Sequence, residues 1–123
     1  MVLMDEKSNI KELKILVKKF CEERDWNQYH NAKDLAIGII TESSELLEHF
    51  RFKSIEEVDE LFYNKSKRKE ISEELVDIFY FILRFAEKYN IDLSEELQEK
   101  IKKNIKKYPI EKSKGLNKKY NEI

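Results

Sequence analysis

Two acidic pairs, each with its members three positions apart, are the side chains in this sequence best placed to do chemistry. The first is Glu42 with Glu45, in Thr41-Glu42-Ser43-Ser44-Glu45-Leu46. The second is Glu74 with Asp77, in Glu73-Glu74-Leu75-Val76-Asp77-Ile78. Residues three apart on a helix project from one face. Glu42 falls between Ile39 and Leu46, and Glu74 between Ile71 and Ile78, on the apolar stripe of each helix. Carboxylates there face other helices, and their burial is costly unless a cation compensates. If the two helices pack antiparallel, four carboxylates converge in one groove and raise one another's pKa values. An all-oxygen set suits Mg²⁺, with Mn²⁺ as a substitute, and leaves positions open for water and phosphate. The competing reading is a row of exposed carboxylates at the edge of a wide polar face. With 25 acidic residues such pairs also arise by chance, and Glu70 with Glu73 reads as solvated surface.

The elements that must position these acids are helical. Gly and Pro together number three (Gly 2, Pro 1), and charged residues make up 40% of the chain. A first helix is expected over 8–23, carrying Ile10, Leu13, Val17, Phe20 and Cys21 at helical spacing. A polar, aromatic connection follows over 24–31. A second helix is expected over 32–50, with Leu35, Ile39, Leu46 and Phe50 on one face. Ser54 with Glu57 forms a capping-box pattern that opens a short helix through Phe62. Residues 64–67 read as a loop. A third long helix is expected over 68–89, carrying Ile71, Leu75, Ile78, Phe79, Ile82 and Phe85. Asp92 with Glu95 opens a fourth, which carries Leu97, Ile101 and Ile105 and stops near Pro109. The expected architecture is all-α: a four-helix-bundle-like domain over 1–110, with a short extra helix between helices two and three. A polar, basic tail over 111–123 follows, expected to be partly mobile.

Composition excludes several functions. A net charge of −1 gives no electrostatic case for nucleic acid or an anionic membrane. No apolar run approaches the roughly 20 residues of a membrane span, and no secretory signal opens the sequence, so a cytoplasmic protein is expected. The lone Cys21 rules out an intrachain disulfide and a Cys-rich zinc site, and reads as a small core residue. A di-iron bundle needs Glu-x-x-His on two helices, yet Leu46 stands three before His49 and Asn27 three before His30. With only Gly38 and Gly115, no glycine-rich phosphate cradle can form.

The ordered motifs around the acids resemble the MazG-like, all-α nucleotide pyrophosphohydrolases, and within them the dCTP pyrophosphatase-like branch. The segment Phe20-Cys21-Glu22-Glu23-Arg24-Asp25-Trp26-Asn27-Gln28-Tyr29-His30 is similar to that branch's Phe-x-x-Glu-Arg-Asp-Trp-x-Gln-Phe-His. Lys33-Asp34-Leu35 resembles its Lys/Arg-Asn-Leu, and Glu45-Leu46-Leu47-Glu48-His49-Phe50-Arg51-Phe52-Lys53 its Glu-Leu-x-Glu-x-Phe-Gln-Trp-Lys. Glu73 to Ile78 matches the second acidic motif. Lys100, Asn104, Lys107, Tyr108 and Pro109, then Lys118-Lys119-Tyr120, resemble its closing segments. The resemblance implies Mg²⁺-dependent hydrolysis of a nucleoside triphosphate to the monophosphate and pyrophosphate, with Glu42, Glu45, Glu74 and Asp77 as metal ligands. It also implies a homo-oligomer, dimer or tetramer. Three positions depart from the branch: Phe52 stands where Trp is common, Asp34 replaces Asn, and Val17 occupies a position that can carry His. These leave the metal chemistry intact and bear on the preferred base.

Other residues carry two readings each. Trp26 and His30 either plug the bundle end and cap helix two, or recognise a base by stacking and hydrogen bonding. Phe52 and Tyr108 are core or substrate contact, and Lys53 reaches phosphate or solvates a helix end. Lys100, Asn104 and Lys107 share a helix face that is either solvated or turned to phosphate and base. The functional expectation is a pyrophosphohydrolase of dCTP or a modified pyrimidine nucleotide, with Glu42 or Glu45 beside the attacking water. The alternative is a non-catalytic helical module that binds a nucleotide or a protein.

Overall fold

Every long helix starts where a side chain can take the place of a missing backbone acceptor. In the computed structural model, which describes residues 3–123, Asn9 caps α1 (Ile10–Glu23) by accepting from the Glu12 N–H. Asn31 caps α2 (Ala32–Glu48) by accepting from the Asp34 N–H, so His30 is not the cap. Ser54 and Glu57 form the full reciprocal capping box that opens α3 (Ile55–Leu61), as the sequence pattern predicts. Asn64 caps α4 (Lys65–Lys88), so the expected loop at 64–67 is instead the first turn of the longest helix. A side-chain oxygen of Asn at the N-cap satisfies an orphan donor well, which is why the helix begins early. Asp92 caps α5 (Leu93–Lys107), and Pro109 precedes a single turn, α6 (Ile110–Ser113). Among the described residues there is no strand, and the element order is the all-α one expected.

The chain forms two compact units, Met1–Asn90 and Ile91–Ile123. In the first, α4 is the central rod, packed chiefly on α2 and next on α1. Val17 and Cys21 from α1, Leu35 from α2, and Ile71, Leu83 and Ala86 from α4 are its buried apolar residues. Cys21 is fully buried and sits 3.1 Å from the Tyr80 hydroxyl, the core role expected of it. Burial, then the bond to Cys21, pushes the Tyr80 phenol well above its ordinary pKa. Leu75, expected on the apolar stripe, is exposed. In the second unit, Leu97, Ile101 and Ile105 are also exposed. The tail is not featureless: Tyr120 opens a 3₁₀ turn and meets Tyr108 edge-on, with ring centroids 6.2 Å apart.

The register of α2 on α4 follows from one glycine. A Cβ on Gly38 would stand 2.6 Å from the Phe81 ring, closer than side-chain carbons approach. Gly38 therefore lets the two helices meet with Phe81 filling the gap. Contacts on either side fix the direction: Arg84 meets His30 just before α2, and Glu74 meets His49 just after its end. As numbers rise along α2 they fall along α4, so the pair is antiparallel. One turn from Gly38 is Glu42, and one turn back from Phe81 is Asp77.

Gly38→Ala tests this packing. Alanine is favoured over glycine inside a helix by about 1 kcal/mol. Overpacking costs roughly 1–3 kcal/mol, so the variant should unfold at lower urea than wild type. Adding Phe81→Leu should recover much of the loss. A midpoint at or above wild type for Gly38→Ala alone would contradict the close approach.

Candidate metal and nucleotide site

The antiparallel register brings the two acidic pairs together. Burial comes first among the causes that raise the Glu42 pKa above the ordinary carboxylate value. A hydrogen bond and charge from Glu45 follow, then the charges of Asp77 and Glu74. The other three predicted acids therefore all act on Glu42, two of them across the α2–α4 groove. Glu42 and Glu74 are half-buried, while Glu45 and Asp77 sit at the exposed edge. Glu42 Oε2 and Glu74 Oε2 are buried without a hydrogen-bond partner among the described residues. His49 Nε2 lies in ion-pair contact with that same Glu74 oxygen.

An orphaned carboxylate oxygen on Glu42, in a groove of like charge, has an electrostatic deficit that a hard cation would remove, and oxygen donors are what such a cation takes. Among the described residues no three Asp, Glu, His or Cys side chains are drawn together as a closed cage. The acids are arranged as facing pairs, which suits an ion that keeps water and phosphate in its shell more than one enclosed by protein. Glu42, Glu45, Glu74 and Asp77 are the residues able to hold it. His49 was not foreseen as part of this cluster. Its position gave a signal: it lies four residues after Glu45 and seven after Glu42, on the same helical stripe.

A second cluster forms at the other end of the α2–α4 pair. The chain leaves α1 through Asp25, whose φ of 55° lies in the left-handed region. The Trp26 N–H bonds to the Cys21 carbonyl and the Asp25 N–H to the Glu22 carbonyl, at 3.1 and 3.0 Å. This is the Schellman pattern, with Asp in the place usually held by Gly. It turns Trp26 edge-on to Phe20, with centroids 5.5 Å apart, and against His30, at 6.2 Å. Trp26 keeps about a third of its surface exposed and His30 is half-buried, so the structure brings these two predicted residues together. Asp34 is engaged in the α2 cap: its Oδ2 accepts from Asn31 Nδ2 at 2.7 Å while its N–H bonds Asn31 Oδ1.

Phe52 is not core. It is 91% exposed, at a φ of 63°, with the Arg51 guanidinium 4.6 Å from its ring centroid. A bulky residue in the left-handed region is an outlier that the surrounding turn must enforce. Lys53 is exposed beside it. Lys100, Asn104, Lys107 and Tyr108 lie in the second unit, where Lys107 Nζ sits 5.0 Å from the Tyr120 ring centroid. Lys100 and Lys107 are exposed, and Asn104 is half-buried. No described helix is long and apolar enough to cross a membrane.

The MazG-like family model matches residues 37–123, from within α2 to the end of the chain, and the chain belongs to that family. Among its relatives, dCTP pyrophosphatase 1 of Bos taurus is 30% identical over 93% of this chain and 68% of its own length. The Homo sapiens protein of the same name is 27% identical over 93% of the chain and 67% of its own length. The crystal structure of a pyrophosphatase from Archaeoglobus fulgidus is similar with a TM-score of 0.77 and 30% identity, covering 88% of this chain and 99% of that one.

The raised Glu42 pKa makes a stability prediction. A carboxyl whose folded pKa lies above its unfolded one binds its proton more tightly when folded. Its contribution is fully present below the unfolded pKa and is lost as pH rises through the folded value. In EDTA at pH 7, Glu42→Gln should therefore melt above wild type, and the gap should narrow as pH falls toward the ordinary carboxylate range. Thermal melts across that range check it. A Gln variant less stable than wild type at pH 7 would remove the like-charge account.

Proposed function

We propose that this MazG-like chain is a nucleotide pyrophosphohydrolase that depends on Mg²⁺, or Mn²⁺ in its place. Its substrate would be dCTP or a modified pyrimidine deoxynucleotide, cleaved to the monophosphate and pyrophosphate within the cytoplasmic nucleotide pool. The observation that carries the reading is the convergence of four carboxylates on one groove, with Glu42 Oε2 unsatisfied. The names of the dCTP pyrophosphatase relatives support the reaction class and the choice of pyrimidine.

A divalent ion held by Glu42, Glu45, Glu74 and Asp77 would supply charge neutralisation to the triphosphate. The chain's own groups do the rest. A carboxylate of the Glu42–Glu45 pair accepts the proton of the attacking water as it adds to the α-phosphorus, while the bond from that phosphorus to the α–β bridging oxygen breaks and pyrophosphate leaves. Fixed charges that need not reorganise make positioning and electrostatics the main sources of rate. Trp26 and the exposed Phe52 offer faces for a base, and Lys53 offers charge to phosphate.

Glu45→Gln should abolish pyrophosphate release and leave the helical CD spectrum unchanged. The wild type, assayed on a panel of dNTPs and NTPs, should release pyrophosphate with Mg²⁺ and not with EDTA. Full activity in Glu45→Gln would sink the site assignment. No metal-dependent turnover of any nucleotide would leave a helical nucleotide-binding module instead.

The same reading includes a homo-oligomer. Ile37, Ile40 and Leu47 on α2, Leu75 and Val76 on α4, and Leu16 and Phe20 on α1 are all exposed large apolar residues. Apolar surface on that scale is a liability for a monomer and a resource for self-association. Sedimentation velocity should find a dimer or tetramer, and Ile40→Lys with Leu47→Lys should shift it toward monomer. A monomeric wild type at tens of micromolar would overturn this part.

A further inference from the structure

Arg84 is the one charged residue among the buried side chains described, 1% exposed, one turn before the end of α4. Each of its three guanidinium nitrogens donates a hydrogen bond. Nη1 donates to Glu87 Oε2 at 2.6 Å, Nη2 donates to Asn27 Oδ1, and Nε donates to His30 Nδ1 at 3.0 Å. One turn on, Lys88 Nζ donates to the Asn27 carbonyl at 2.9 Å and to the His30 carbonyl. Two cations of α4 thus hold the turn from Asn27 to His30 by both its side chains and its backbone.

The bond to His30 has a chemical consequence. Arginine is always protonated and has no acceptor, so Nδ1 must offer its lone pair. A neutral imidazole then carries its proton on Nε2. Burial first, and then the charges of Arg84 and Lys88, lower the His30 pKa, which favours that neutral ring. Among the described residues Nε2 has no hydrogen-bond partner, and the ring stands edge-on to Trp26.

We propose that Arg84 is a positioning residue that holds His30 in its Nε2–H form, so that the Trp26–His30 end of the site presents a hydrogen-bond donor to the nucleobase. The matching ligand chemistry is an acceptor, a base carbonyl oxygen or an unprotonated ring nitrogen, stacked beside Trp26. This rests on the reading of the chain as a nucleotide pyrophosphohydrolase and assigns the base-reading role within it. Lys88 supports the turn without touching the ring.

The tautomer can be read without any turnover. Long-range ¹H–¹⁵N NMR of the wild-type chain at pH 7 should show His30 with Nε2 protonated and Nδ1 as a hydrogen-bonded acceptor. An Nδ1–H ring, or one protonated on both nitrogens, overturns the proposal. Arg84→Met keeps length and removes the donors; it should mix the tautomers. With dCTP as probe, loss of one oriented donor should raise KM about tenfold while kcat stays within about twofold. Unchanged tautomer and unchanged KM in that variant also overturn it. If Arg84→Met does not fold, His30→Phe, which keeps a ring of similar shape and removes both nitrogens, should give the same rise in KM; an unchanged KM there overturns it. If the wild type hydrolyses no nucleotide, the reading of function falls, and the NMR arm still decides the Arg84–His30 clamp.

Discussion

The groove between α2 and α4 has to hold four carboxylates near one another, and most of the first unit can be read as the means of doing so. Like charges at this separation push helices apart, and partial burial strengthens the push. The opposing force is local packing. Gly38 removes a side chain where Phe81 needs room, and the helices close one turn away from Glu42 and Asp77. Leu35, Ile71 and Leu83 bury apolar surface along the same two helices. The acids then divide by exposure. Glu45 and Asp77 keep contact with water, which screens them, while Glu42 and Glu74 retain buried oxygens with no hydrogen-bond partner among the described residues. A groove built only for stability would replace those two with apolar residues. Glu42 and Glu74 therefore carry a cost in stability, and that cost is the physical ground for the proposed cation site.

One helix carries both ends of the candidate site. Along α4, Asp77, Phe81, Arg84 and Lys88 recur at steps of four, three and four, which places them on a single stripe. Asp77 belongs to the acids, Phe81 sets the helix spacing, and Arg84 and Lys88 hold the turn from Asn27 to His30. The distance from the acidic groove to the aromatic turn is therefore set by about three turns of rigid helix, and not by loop conformation. A change in the length of α4 would break both ends at once.

Local rules carried much of this into the sequence. The caps at Ser54 and Asp92 and the helical period of α1, α2 and α4 are short-range signals, and they appear where expected. The acidic pairs were legible because a charge on an apolar stripe is a local contradiction. What was not legible depends on partners distant in sequence. Arg84 sits in a run of aromatic and aliphatic residues, and nothing near it says that its partners are Asn27 and His30. Leu75 follows the apolar period yet faces outward, since period alone does not say which stripe a neighbouring helix will cover. Asp34 stood out only as a departure from the branch's Asn, and nothing in that comparison says that Asn31, three residues earlier, bonds its side chain.

A buried arginine is a poor choice for stability alone, and that makes Arg84 informative. An apolar side chain of similar volume would fill the same space without the cost of desolvating a guanidinium. What it would not do is fix direction. Apolar packing tolerates sliding and rotation, whereas three hydrogen bonds from a rigid fork admit one arrangement of Glu87, Asn27 and His30. The turn it holds has no extended secondary structure of its own, only a single 3₁₀ turn after a left-handed Asp25. Such a segment would sample several conformations if held by apolar contact alone. The clamp exchanges some folding stability for a defined orientation of one imidazole, which is useful only if that ring has something to recognise.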